Sequence, residues 1–259
     1  MQISINANRC EPSPMRKFHP LAVAAEQRGK KIYHLNIGQP DIATPSAYFE
    51  AVRKYDPQTL AYDASPGNPE LIRAVQNYYA GLGVDLEPRD ILITTGGSEA
   101  LLLTCLSILD PYTEVIIPEP YYPNYTTFVH AAGGVIRALP TNPWEGYRYA
   151  KRERIESLIT KNTRAILITN PGNPTGVVLD REEMRMMADI AKSTTCSLSA
   201  MRSTGNSAMT KNSVCPPWPA SMILMTIWSL LTPCPSGFPP AALGWAVLSP
   251  RIRSCRVPC

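Results

Sequence analysis

Two asparagines, two prolines and two glycines share the seven residues NPGNPTG at 170–176, a dense chemical signal in this chain. They follow the apolar run AILIT at 165–169 and precede an amphipathic segment that begins at Asp180. A strand that ends in a rigid polar turn before a helix puts its polar side chains in the crevice at the carboxyl end of a parallel sheet, where open α/β folds bind ligands. The prolines fix φ and withhold N–H donors, and the glycines permit conformations that other residues resist. A plain Pro/Gly turn is the bland alternative; a lone N-P pair would favour it, and the whole heptapeptide after a strand does not.

Three further kinds of segment have chemical potential. TTGGSEAL at 94–101 joins a strand to a helix through glycines. Its backbone N–H groups, the helix dipole and the Ser98 hydroxyl suit a phosphate, although a glycine turn that simply caps a helix reads the same way. EPYYPNY at 119–125 sets aromatic rings just past another strand end, where they either stack on a flat ligand or fill the core. NIGQPD at 36–41 and YDASPG at 62–67 read, each alone, as turns.

Alternating elements must position these segments. Apolar spacing predicts helices over 21–27, stopped at Gly29, and over 69–79, 99–109, 125–132 and 152–159. Strands are predicted over 31–37, 90–94, 114–117, 135–139 and 164–169. Such alternation argues for an α/β fold whose mainly parallel sheet carries helices on both faces. The expected division is an arm and part of a small domain at 1–35, a ligand-binding large domain at 36–192, and a distinct tail at 193–259.

The tail is distinct by composition. The chain has 259 residues and net charge +4, yet all 21 acidic residues lie before Ser193. Lys and Arg number 20 before that point and 5 after it, so the first part carries −1 and the tail +5. The tail also holds five of the seven cysteines (Cys196, Cys215, Cys234, Cys255, Cys259) and three of the four tryptophans. Cysteine and histidine spacing fits no metal site. No N-terminal stretch reads as a signal peptide, and the apolar run 222–231 is too short for a bilayer. A cytoplasmic protein is expected, with no membrane and no nucleic-acid partner, since the tail's basic residues are scattered rather than clustered.

In their order along the chain, these segments resemble the fold-type-I pyridoxal-phosphate aminotransferases, in particular the aspartate aminotransferase-like class I/II group, over residues 13–192. The resemblance implies an α/β PLP-transferase large domain, here incomplete, and transfer of an amino group between an amino acid and a 2-oxo acid. It places Gly38 in the loop that meets the substrate carboxylate. It gives Gly97, Ser98 and Glu99 the phosphate of pyridoxal 5′-phosphate, Tyr122 the face of the pyridine ring, and Asn173 the 3-hydroxyl oxygen. Tyr62 would reach the cofactor phosphate of a neighbouring subunit, which implies a homodimer. A lyase of the same fold would share these contacts.

The family also needs a Schiff-base lysine and an aspartate that keeps the pyridine nitrogen protonated. Both follow the NPxNPTG turn, in segments like DEVY and SxSK, and the written sequence has neither. Lys211, the tail's only lysine, lies in a TKN context unlike the family motif. A one-base shift of reading frame after about residue 192 restores them. Taking the third base of each codon with the first two of the next, residues 200–212 permit DEVYREFxYDEK, where x is unassigned. Residues 230–238 permit VDSVSKR, with the lysine spanning Pro235 and Ser236, and residues 238–244 permit SACGAR. The parent is therefore expected to be an aminotransferase. The chain as written is expected to be a truncated product without the catalytic lysine; a proline-rich tail of unrelated origin is the alternative.

Overall fold

The computed structural model describes residues 2–10, 14, 16–35, 43–81, 85–194, 196–202, 222–229 and 244–249. Its elements, in chain order, are helices α1 (Ile5–Asn8), α2 (His19–Glu26), α3 (Ser46–Lys54) and α4 (Pro69–Ala80), then strand β1 (Leu92–Thr94), helix α5 (Gly97–Ile108) and strand β2 (Glu114–Pro118). They continue with α6 (Asn124–Ala131), β3 (Val135–Leu139), α7 (Arg152–Glu156), β4 (Thr163–Thr169), α8 (Arg181–Ser193), β5 (Ser197–Arg202), β6 (Met222–Ser229) and β7 (Gly244–Ser249). The described strands form one sheet in the order β1-β7-β6-β5-β4-β2-β3. β3, β2, β4, β5 and β6 run parallel, and β7 is antiparallel to both its neighbours. Two reversals at β7 return β1 to the common direction, so β1, β2, β4, β5 and β6 all end on one edge.

Burial on both faces explains the uninterrupted apolar reading of β4. Ala165 and Leu167 face a cluster with Val115 and Ile117 of β2, Ala100, Leu101 and Cys105 of α5, and Tyr125 and Val129 of α6. Ile166 and Ile168 face the opposite cluster with Ile116, Ile72 of α4, Ile155 of α7, and Met184, Met187 and Ile190 of α8. Ile116 and Ile166 are fully excluded from solvent, each burial contributing roughly 1.5–3 kcal/mol. The buried set Met184, Met187, Ala188, Ile190 and Ala191 is the stripe of an amphipathic helix. The helix opens on a reciprocal cap: Asp180 Oδ1 accepts from the Glu183 N–H at 2.8 Å, and Glu183 Oε2 accepts from the Asp180 N–H at 2.8 Å.

Most predicted elements are present with small shifts of boundary. α5 starts at Gly97, two residues before its expected start, and residues 88–90 form a 3₁₀ turn ahead of a shortened β1. The helix expected over 152–159 ends at Glu156, after which Leu158 and Ile159 close tighter turns onto Ile155 and Glu156. The strand expected over 31–37 is absent from 31–35, and 36–37 lie outside the described residues. Among the described residues no strand pairs with 31–35, and Tyr33 and Leu35 are exposed; apolar residues without a partner ladder do not make a strand. Three strands (β5, β6 and β7) stand in the range read as a tail outside the fold. Their stretches SLSAMR, MILMTIWS and GWAVLS hold a single charge, at Arg202, which suits a sheet interior.

Among the described residues no helix is long and apolar enough to cross a membrane. Because Ile166 is fully buried in the cluster it shares with α4, α7 and α8, Ile166→Ala is expected to lower unfolding free energy by about 2–5 kcal/mol, measured by urea denaturation.

Candidate functional site

The carboxyl edge of the sheet gathers three loops that carry the expected site residues. From β1 the chain passes into α5, which packs over β6 and β7 and against α6. From β2 it passes through residues 119–123 into α6, and from β4 through 170–180 into α8.

At the first loop, Gly97 is buried while Ser98 and Glu99 are exposed in the first turn of α5. N–H groups in a first turn have no intrahelical acceptor, and the helix dipole adds positive potential there. The glycine-bearing entry lets the chain turn sharply from strand to helix: Thr94 Oγ1 donates to Gly96 O at 3.0 Å. Glu99 does a job that the sequence reading did not foresee. Its Oε2 accepts from the Thr95 backbone N–H at 2.6 Å and from Thr95 Oγ1 at 2.8 Å. Those two bonds, the backbone one first, hold its carboxyl below the usual value of 4.5. Any contribution of Glu99 to an anion site therefore comes from its backbone N–H, since its carboxylate braces the turn.

At the second loop, Tyr122 is half-buried and its hydroxyl accepts from Asn124 Nδ2 at 2.9 Å. Its ring meets that of Tyr125 edge-on, 5.6 Å between centroids at 78°. Tyr121 lies nearly parallel to Tyr125 at 6.3 Å and 11°. Tyr125 is 2% exposed, and its hydroxyl and Thr169 Oγ1 share a hydrogen bond of 2.9 Å. Burial pushes this phenol up to about 12 despite the bond to Thr169.

At the third loop the two asparagines of NPGNPTG part company. Asn170 is 1% exposed, and its Oδ1 accepts from the Leu179 N–H at 3.0 Å, closing the loop on itself. Gly172 N–H donates to Val177 O at 2.7 Å, and Gly176, at φ +73°, donates to Gly172 O at 2.8 Å. That leaves Asn173 exposed. It lines a small cavity of about 20 Å³ with Tyr121, Tyr125, Tyr149 and Thr175, a volume on the order of one water. Only one asparagine of the pair is thus offered to a ligand; the other is structural.

Tyr62 and Gly38, the remaining expected residues, belong to none of these three loops. Tyr62 has its side chain fully in solvent, at 105% relative exposure. Its segment is anchored further on: Ile93 N–H donates to Pro66 O at 2.9 Å, and Gly67, at φ +112°, sits so close that a Cβ would be 2.5 Å from Ile93 Cβ. Gly38 lies outside the described residues.

Comparison with known proteins falls on the same region. Residues 30–198 match the family model described as aminotransferase class I and II. The chain is 35% identical over 191 residues to a probable aspartate/prephenate aminotransferase of Thermus aquaticus, covering 73% of this chain and 50% of that protein. It is 36% identical over 190 residues to a probable N-acetyl-LL-diaminopimelate aminotransferase of Bacillus subtilis, covering 72% and 47%. Among solved structures, the aspartate aminotransferase of Thermus thermophilus with maleate superposes with a TM-score of 0.78 at 26% identity, over 97% of this chain and 65% of that one. The chain spans about half the length of the curated relatives it matches.

The different burdens of the two asparagines are measurable. Asn170→Ala, which strands the buried Leu179 N–H, should cost about 1–3 kcal/mol, whereas Asn173→Ala should leave the melting temperature unchanged. Glu99 supplies a pH test. A depressed folded-state pKa gives stability that is present above pH 4.5 and lost as pH falls through the folded value. Glu99→Gln should therefore be the less stable protein at neutral pH, and the two melting curves should converge in acid below pH 4.5.

Proposed function

The chain belongs to the class I and II aminotransferase family, and from that premise we propose that its intact parent transfers an amino group between an amino acid and a 2-oxo acid, using pyridoxal 5′-phosphate. The observation that carries this reading is the convergence of three strand ends on one edge, bearing an open helix N-terminus, a half-buried tyrosine ring and an exposed carboxamide. The chain's residues fit the phosphate and the ring of the cofactor. Gly97, Ser98 and Glu99 hold the phosphate through first-turn N–H groups and the Ser98 hydroxyl. Tyr122 covers one face of the pyridine ring, and Asn173 donates to its 3-hydroxyl oxygen. Gly38 belongs to the loop that receives the substrate carboxylate.

The cofactor, when bound, supplies an electron sink for charge that develops at the amino acid's α-carbon. The residues of this chain bind and orient; they do not supply the base. Among the described residues no lysine lines the cavity beside Asn173, and Lys151, two residues beyond Tyr149 of that lining, is 3.6 Å from Glu145. As written, the polypeptide is a binding remnant of an aminotransferase rather than a working one.

Homodimerisation follows from the same reading. Tyr62 points into solvent from a segment pinned on β1, which suits a residue that completes the phosphate site of a second subunit. Tyr33, Leu35, Tyr55 and Leu60 are exposed as well, side chains with apolar surface that a second subunit would cover. The cytoplasm is the compartment this reading expects.

A one-base frameshift accounts for the tail. Three things support it. The permitted codons restore DEVY, SVSK and GAR in family order. The family match stops at residue 198, close to the proposed junction, while likeness of fold to the Thermus thermophilus structure runs over 97% of the chain. The register of β5 sets Ala200 beside Ile168 and Met201 beside Thr169, so an aspartate encoded across those two codons would stand at the carboxyl edge, level with the start of NPGNPTG.

Two measurements test the reading. Resequencing of the gene across codons 185–259 should add or remove one base and run on through DEVY and SVSK; an unchanged frame would mean that the gene itself is broken. The polypeptide as written, incubated with pyridoxal 5′-phosphate and borohydride, should give no reduced adduct at Lys211, and a stoichiometric adduct there would contradict its inactivity.

A further inference from the structure

We propose that Tyr125 is a positioning residue that couples the two arms of the cofactor cleft, holding the Tyr122 ring and the Asn173 turn in one register. The inference rests on the functional reading above and goes beyond it, because that reading assigns Tyr125 no contact with the cofactor.

Tyr125 sits in the first turn of α6, three residues after Tyr122 and on the arm that follows β2. Its hydroxyl crosses to Thr169, the last residue of β4 and therefore of the other arm, at 2.9 Å. The next residue, Asn170, is clamped to the Leu179 N–H, so Thr169 is the last point of β4 before a closed loop that presents Asn173. At its other end Tyr125 meets the ring of Tyr122 edge-on at 5.6 Å. A displacement of the β4 end is thus passed through one rigid phenol to the ring that covers the cofactor. The phenol keeps its proton through the physiological range, since burial holds it up to about 12, and the link does not loosen with pH. The parallel partner of Tyr125 is Tyr121, at 6.3 Å. Its own hydroxyl lies 3.4 Å from Thr126 Oγ1, within the same arm, so it makes no such crossing.

The test uses the full chain with pyridoxamine 5′-phosphate as the probe, because its amine cannot condense with stray lysines. Tyr125→Phe keeps the buried ring and removes only the oxygen. It and Thr169→Val should each weaken probe binding by roughly three- to tenfold, the worth of one hydrogen bond. The double variant should be no weaker than either single one, and Thr169→Ser should restore the affinity. Tyr121→Phe should bind like the parent chain. Hydrogen exchange without probe supplies the second readout: in Tyr125→Phe, segments 119–124 and 170–176 should exchange faster together, with α8 unchanged.

Equal probe affinity in Tyr125→Phe, additive losses in the double variant, or unaltered exchange over 170–176 would each overturn the coupling. Failure of the parent chain to bind the probe would instead count against the cofactor reading, and the exchange experiment would still decide whether Tyr125 ties the arms.

Discussion

Everything in this fold depends on the parallel pair β2 and β4 being buried on both faces. A strand between two helical layers has no wet side, so its polar business must move to its ends. Ala165 and Leu167 pack beneath α5 and α6 while Ile166 and Ile168 pack beneath α4 and α8. Each strand therefore keeps its polar residues at its ends, Glu114, Thr163 and Arg164 at one and Glu119, Thr169 and Asn170 at the carboxyl edge. Helix α5 starts on that edge and packs toward α6, so the open N–H groups of its first turn join the same crevice.

Crowding at this edge forces a division of labour that residue type alone does not announce. Asn170 and Asn173 are chemically identical, yet one spends its carboxamide on the buried Leu179 N–H and the other stays in solvent. Glu99 and Ser98 are neighbours in one helical turn, yet the glutamate brace on Thr95 leaves the serine hydroxyl as the free polar group. Tyr121, Tyr122 and Tyr125 share an aromatic cluster, and only the last sends its hydroxyl across to β4. In each case burial decides: a polar atom closed off from water must find a partner inside the protein, and whatever finds none inside is available to a ligand.

The tail is a lesson in what a sheet will accept. Residues 197–202, 222–229 and 244–249 take the places between β4 and β1 with regular ladders. Sheet pairing is a backbone interaction, and a nearly uncharged apolar stretch satisfies it whatever its origin. The chemistry of a site is less forgiving, because it needs one side chain at one place. The tail can thus supply strands to the sheet although it holds no Asp or Glu and a single lysine.

Much of this was legible beforehand. The NPGNPTG turn, the glycine-led start of α5, the alternation of helices and strands and the change of composition after residue 192 are local facts of residue type and spacing. They carry the fold class and the identity of the loops, since apolar periodicity and turn chemistry act over a few residues. Residues 31–35 of the strand expected at 31–37 form none, because a strand exists only with a neighbour, and nothing in those residues says whether one is there. Which asparagine faces solvent, that Glu99 is a brace, that Gly67 is required by Ile93 and that Tyr125 reaches Thr169 were all decided by tertiary structure. Each depends on a contact between residues brought together by packing, and burial of that kind is a property of the assembled sheet rather than of any segment within it.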